Sequence, residues 1–422
     1  MKLAVLILFV AMYVVMIAKP QIRTWVALGV AAVICALGVV PLNQIVDAID
    51  FNVLMMIGGT MIVVDYFIES KMPNRIAESI LHHSKDVRAV IIYMSLFAGI
   101  VSAFIDNVAT VLMIAPVGLA ICKKLKINPV GMLLAIAVSS NLQGAATLVG
   151  DTTSIMLGAY ANMDFMSFFW MNGRPGIFWA VELGAAATVL VLLVLFKNDR
   201  QPVESDAHTE VEHIFPTVML CGIVVTLIAA SFLPNKPALT NGVICCAYAL
   251  LSMIIDLAHK HNAEGLNHAL LSVDFQTILL LTGLFVVIRG LENIGIIDDM
   301  AKFIARLGGG NLFLLYTAIV WISVGVSAFV DNIPYVATML PVVGSISSML
   351  GIEPYLFAFG LLIGATLGGN ITPVGASANI AGIGILQKEG YKVSTQDFIR
   401  IGIPFTLIAA VSGALVIWLV WA

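Results

Sequence analysis

Charge is what this chain has least of. Only 11% of its 422 residues are Asp, Glu, Lys or Arg, against about a quarter in soluble globular proteins. With a mean hydropathy of +1.02, the chain is read as an integral membrane protein. The same scarcity excludes nucleic acid as a partner, because the 21 basic residues are outnumbered by 25 acidic ones and lie in short loops without forming a stripe. Histidine is missing from the apolar segments: His82, His83, His208, His213, His259, His261 and His268 all fall in polar connections. Cys35, Cys122, Cys221, Cys245 and Cys246 show no CxxC spacing, so neither a disulfide nor a metal framework is expected, and the adjacent Cys245-Cys246 pair, which could bind a thiophilic ion, reads rather as lipid-facing filler. Walker A, GxSxG and HExxH sequences are absent, which leaves no nucleotide site to drive transport and no nucleophile–base set. No cofactor is expected, and a membrane enzyme is the reading with least support.

What the chain has instead is long apolar runs. Ten lie near 3–18, 24–40, 50–68, 128–147, 176–196, 214–232, 241–257, 274–290, 354–372 and 402–421, and at about 1.5 Å per residue such runs match a hydrocarbon core of about 30 Å. The first runs into Lys19-Pro20 with no small-residue cleavage site and reads as a retained helix. One sustained polar stretch, Lys197 to His213, reads as a solvated cytoplasmic linker between an N-terminal repeat, 1–196, and a C-terminal repeat, 214–422.

The two halves repeat one another. "DFNVLMMIGG" from Asp50 corresponds to "DFQTILLLTG" from Asp274, and "SAFIDNVATVLMIAPV" from Ser102 corresponds to "SAFVDNIPYVATMLPV" from Ser327. From there the register holds: Asp106/Asp331, Asn107/Asn332, Pro116/Pro341, Pro129/Pro354, Gly144/Gly369, Thr147/Thr372 and Gly150/Gly375 superpose. Shared Asp-Asn, Pro and Gly in fixed register indicate a duplication. The segments near 89–122 and 311–350 read as re-entrant hairpins turning at Asp-Asn, with a second arm of about 13 residues, too short to span. Each half then has five crossings, so the second is inverted relative to the first. With the N-terminus outside, only Lys2, Arg174, Lys236, Arg289, Lys302 and Arg306 fall on the outer side, which agrees with the excess of basic residues expected in cytoplasmic loops. The expected fold is all-α and polytopic: two inverted-topology repeats, about ten transmembrane helices and two re-entrant hairpins with unwound helix breaks.

A carboxylate within a bilayer costs about 2.5 kcal/mol or more, so it is a functional candidate by default. Asp106 and Asp331 sit between apolar runs. One role is to cap the second arm of each hairpin; another, suggested by two copies in inverted halves, is to bind substrate or ion at the midplane. About 40 residues downstream, "SSNLQGAATLVGDTTS" (Ser139 to Ser154) and "GATLGGNITPVGASAN" (Gly364 to Asn379) hold glycines, hydroxyls and amides where spanning helices hold Leu and Val. Close packing through small residues accounts for the glycines but not for Asn141, Gln143, Asp151, Asn370 or Asn379. Helix breaks lining a wet cavity account for both. Asp151 aligns with Ala376, so the halves are chemically unequal.

These four motifs resemble the ion transporter superfamily: arsenite-efflux permeases, NhaD-type sodium/proton antiporters, the P protein, citrate transporter-like proteins and, more distantly, sodium/dicarboxylate symporters. The resemblance covers nearly the whole chain. It implies an elevator-type secondary transporter of the inner membrane, commonly a homodimer, in which hairpin tips and helix breaks surround the cargo. By position, the resemblance implies substrate and ion binding at the tips Asp106, Asn107, Asp331 and Asn332 and at breaks centred on Thr147, Gly150, Thr372 and Gly375; the unexplained polar residues Asn141, Asp151, Asn370 and Asn379 complete the candidate set, with Na+ a candidate at Asp106, Asn107, Asp331 and Asn332. Dicarboxylate symporters carry Ser-Asn-Thr at these tips, whereas Asp-Asn-Val and Asp-Asn-Ile stand here. With no basic residue nearby in sequence to offset them, the two aspartates favour a cation, a proton or a neutral cargo such as arsenous acid. The leading expectation is a proton- or sodium-driven efflux antiporter for a cation or a metalloid. Sodium-coupled uptake of a small carboxylate or oxyanion is the alternative, and an ion channel the third.

Overall fold

The computed structural model describes residues 1–203, 210–260 and 264–422. His208, His261 and the middle of the expected linker lie outside the described residues. The helices run α1 (Lys2–Ala18), α2 (Arg23–Ala36), one-turn α3 (Ile45–Ala48), α4 (Phe51–Glu69), α5 (Met72–His83), α6 (Val87–Ser102), α7 (Asn107–Leu125), α8 (Val130–Gly144) and α9 (Thr152–Tyr160). A small hairpin of β1 (Trp170–Met171) and β2 (Arg174–Pro175) leads into α10 (Ile177–Leu195). Beyond the linker come α11 (Phe215–Ser231), α12 (Thr240–Lys260), α13 (Glu264–Ser272), α14 (Phe275–Asn293), α15 (Ile296–Leu307), α16 (Leu312–Ser327), α17 (Asn332–Leu350), α18 (Tyr355–Gly368), α19 (Ser377–Lys388) and α20 (Thr395–Trp421).

The protein is an all-α polytopic membrane protein. Among the described residues, seven helices are long and apolar enough to cross a membrane, or eight if the bent pair α15–α16 is one span. All ten expected runs are helical, but α1, α2, α8, α11 and α18 are only 14 to 17 residues long. For α8 and α18 the reason is local: each stops at a break and resumes as α9 or α19.

Repeated sequence gives repeated local structure. Asp50 and Asp274 cap α4 and α14, each accepting from the backbone N–H three residues on. Pro129 and Pro354 stand at the N-caps of α8 and α18, where a missing N–H breaks no helical bond. Pro116 and Pro341 lie inside α7 and α17. The halves also exchange helices: α12 packs on α4 and α2 on α14. Gly59 and Gly283 permit this, since a Cβ on Gly59 would stand 2.6 Å from the Cys245 carbonyl carbon and one on Gly283 would stand 2.9 Å from that of Ala27. Cys245 is therefore buried in the α4–α12 contact, which corrects its reading as lipid-facing filler.

Two further readings are corrected. The second arms of the hairpins are 19 residues long in both copies, because α7 continues through Lys123 and Lys124 to a left-handed cap at Lys126, and α17 to one at Gly351. Length alone would let them span. Their first residues, Asn107 and Asn332, are buried, and Asn107 bonds Asn141 and Ser140 near the end of α8. The second correction concerns the polar connections before each hairpin, which hold amphipathic helices. Helix α15 buries Ile296, Ile297 and Ala301 and turns through 117° into α16; α5, its counterpart, buries Pro73, Ala77 and Leu81.

Candidate functional site

Each hairpin tip is built by an aspartate that starts a helix. Asp106 Oδ1 accepts from the Val108 and Ala109 N–H groups at 3.0 and 3.3 Å, and Asp331 Oδ1 from the Ile333 N–H at 3.1 Å. Capping is thus one role of both carboxylates, and one oxygen of each remains for other partners.

Behind each tip lies a helix break pinned to it. Thr147 donates its hydroxyl to the Ala103 carbonyl and Thr372 donates to Ala328. A Cβ on Gly150 would stand 2.6 to 2.8 Å from the carbonyl oxygens of Gly144, Ser102 and Ala103, and one on Gly375 would stand 2.6 and 2.9 Å from those of Gly369 and Ala328. Only glycine fits there. The result is two carbonyl-walled turns, one in each half.

Amides join the turns. Asn107 donates to Asn141 Oδ1 at 2.9 Å, and Asn141 donates across the repeat to Asn370 at 2.7 Å and Asn379 at 2.9 Å. Asn370 donates to the Val138 carbonyl, and Asn379 to the Gly369 and Thr372 carbonyls. Asn332 donates to Asp151 Oδ2 at 3.1 Å, an oxygen that also accepts from the Thr153 hydroxyl at 2.8 Å. All twelve residues singled out by sequence therefore gather at two tips and two breaks. Asn107, Asn141, Thr147, Asp151, Asn332, Asn370, Thr372 and Asn379 are buried, whereas Asp106 and Asp331 are half-buried.

The sequence missed one charge. Arg23, at the start of α2, meets Asp331 Oδ2 at 2.6 Å, and the Ser377 hydroxyl donates to the same oxygen at 2.9 Å. The expectation that no basic residue offsets the tips fails for Asp331, because Arg23 is distant in the chain yet adjacent in the fold. Ser102 and Ser140 also join the first tip to its break. The buried Gln143 Oε1 accepts no hydrogen bond among the described residues.

A cavity of about 710 Å³ opens beside this cluster, lined by Met156 and Tyr160 of α9, Ala337 and Leu340 of α17, and Asn52, Asn241 and Arg289 among others. Met156 and Ala337 each lie five residues beyond Asp151 and Asn332, or about 7.5 Å at a helical rise of 1.5 Å. The cavity therefore ends about one and a half turns from the site.

Comparison with known proteins places this cluster of carboxylates and amides at interrupted helices in a transporter. A sequence profile described as Citrate transporter matches residues 11–364. The chain belongs to the citrate transporter family. An uncharacterized transporter of Mycobacterium tuberculosis is 32% identical across 99% of this chain and 98% of its own length. The human P protein is 26% identical over 92% of this chain and 56% of its own. Among solved structures, the Alcanivorax borkumensis YdaH transporter matches with a TM-score of 0.61 over 94% of this chain and 96% of its own, at 14% identity; that likeness concerns the fold. A citrate-transporter-family protein of this build is a secondary transporter and a multi-pass protein of the cell (inner) membrane.

Proposed function

We propose that Asp106, Asp151 and Asp331, with Asn107, Asn141, Asn332, Asn370 and Asn379, form one ion-binding site, and that the transporter is a proton- or sodium-driven efflux antiporter for a cation or a metalloid. The carrying observation is the charge balance: three carboxylates share the site with one guanidinium, Arg23. Such a cluster is held within a bilayer only if a further cation, sodium or proton, is bound for part of the cycle. Na+ is a chemical match for carboxylate and carbonyl oxygens at Asp106, Asn107, Asp331 and Asn332. Thr147, Thr372, Gly150 and Gly375 hold the turns in shape. In this reading residues 1–196 and 214–422 are the two inverted halves, the site moves as an elevator, and the working unit is a homodimer.

A second reading, sodium-coupled uptake of a small carboxylate, is favoured by the family's description and by Arg23, a guanidinium matched to carboxylates. Proteoliposomes discriminate. Efflux antiport predicts that an imposed proton or sodium gradient drives counter-movement of sodium or arsenite, with no accumulation of labelled citrate. Sodium-driven accumulation of citrate would establish the second reading and reject the first.

A further inference from the structure

The two tips are built alike but are not balanced alike. Asp106 and Asp331 occupy equivalent caps, yet among the described residues only Asp331 meets a cation at its free oxygen, Arg23 at 2.6 Å. The helix exchange identifies the residue that stands where Arg23 has its counterpart. Gly283 packs on Ala27, and its repeat partner Gly59 packs on Cys245, so Ala27 corresponds to Cys245. Four residues upstream, Arg23 corresponds to Asn241. One hydrogen-bonding layer supports that register: Thr24 donates to the Gln276 carbonyl, and Gly242 donates to the side chain of Asn52, the repeat partner of Gln276. Asn241 is neutral, buried and on the wall of the 710 Å³ cavity. Helix α1 adds to the difference, since Tyr13 bonds the Pro334 carbonyl and the Thr338 hydroxyl of α17, both at 2.6 Å.

We infer that Arg23 is a specificity-determining residue, a cation built into the protein that takes the place of a transported cation at Asp331 and so confines coupling-ion binding to the Asp106 and Asp151 side. The inference rests on the proposed ion-binding site and narrows it: while Arg23 holds Asp331, the coupling ion is taken at Asp106 and Asp151, and Asp331 serves as the partner of Arg23. It follows from charge balance. A guanidinium is always protonated and makes directional bonds to a carboxylate, so while it holds Asp331 Oδ2 a sodium ion or proton at that oxygen would add an unbalanced positive charge. Removing the guanidinium reverses the situation and leaves a half-buried carboxylate that must find a counter-charge.

The test counts ions on the purified full-length protein, with sodium followed by equilibrium binding of radiolabelled Na+ and protons by uptake from unbuffered solution. Arg23→Asn, which copies the other half, is expected to bind one more monovalent cation per chain than the wild type. The double variant Arg23→Asn/Asp331→Asn is expected to return to the wild-type count, and Arg23→Lys to keep it. An unchanged count in Arg23→Asn overturns the inference and marks the pair as structural. Should Arg23→Asn fail to fold, Arg23→Lys and the double variant decide: a count in Arg23→Lys that differs from the wild type, or one in the double variant above it, overturns the inference. Flux through Asp331→Asn separates this inference from the function it rests on. Full flux there rejects the proposed function, whereas abolished flux with an unchanged count in Arg23→Asn rejects the inference alone.

Discussion

Asn332 donates its side-chain N–H to Asp151 Oδ2 at 3.1 Å across 181 residues of sequence. The bond ties the hairpin tip of the second half to the helix break of the first. Asp151 has Ala376 as its repeat partner, and the bond therefore has no mirror image.

Replacing Asn332 by Ala removes a bond to a charged acceptor, worth about 1.5–3 kcal/mol. With Asp151 keeping the Thr153 hydroxyl but losing Asn332, the apparent affinity for the coupling ion is expected to fall about tenfold or more. Ion-dependent flux in proteoliposomes measures it; an unchanged half-saturating ion concentration would mean that Asp151 acts without Asn332.

Asn141 holds Asn370 and Asn379 across the repeat interface. Asn141→Ala strands two buried amide oxygens, each at about 1–3 kcal/mol, and is expected to lower the thermal midpoint by several degrees. Asn141→Thr, which copies the partner residue Thr366, is expected to recover part of the loss. Thermal unfolding in detergent checks both.

A methyl group at Gly150 or Gly375 has no room, since carbonyl oxygens would stand 2.6 Å from it in both turns. Gly150→Ala and Gly375→Ala are each expected to abolish flux while protein still reaches the membrane. Gly29→Ala, where nothing lies within 4 Å, is expected to transport at the wild-type rate. Flux normalised to the amount of protein inserted distinguishes them.

What the sequence made legible were features whose cause is local. An aspartate that caps, a proline that opens a helix and a glycine pressed on a backbone each act within a turn or two, and their duplication in fixed register set them apart from apolar background. The contacts that cross the fold were hidden. Arg23 and Asp331 are 308 residues apart and Asn141 and Asn370 are 229 apart, and nothing in either local sequence points to the other. Helices α5 and α15 were hidden for a different reason: half of each is polar, so a reading based on apolar run length takes them for loops. The same bias shortened α7, where Lys123 and Lys124 continue the helix beyond its apolar stretch.

In the proposed function the two tips serve one site rather than two parallel pathways. Ion-coupled flux through Asp106→Asn and Asp331→Asn, measured singly in proteoliposomes at matched protein density, tests it most directly. One shared site predicts that either substitution abolishes coupled flux; about half the wild-type flux in each single variant, or full flux in either, would contradict it.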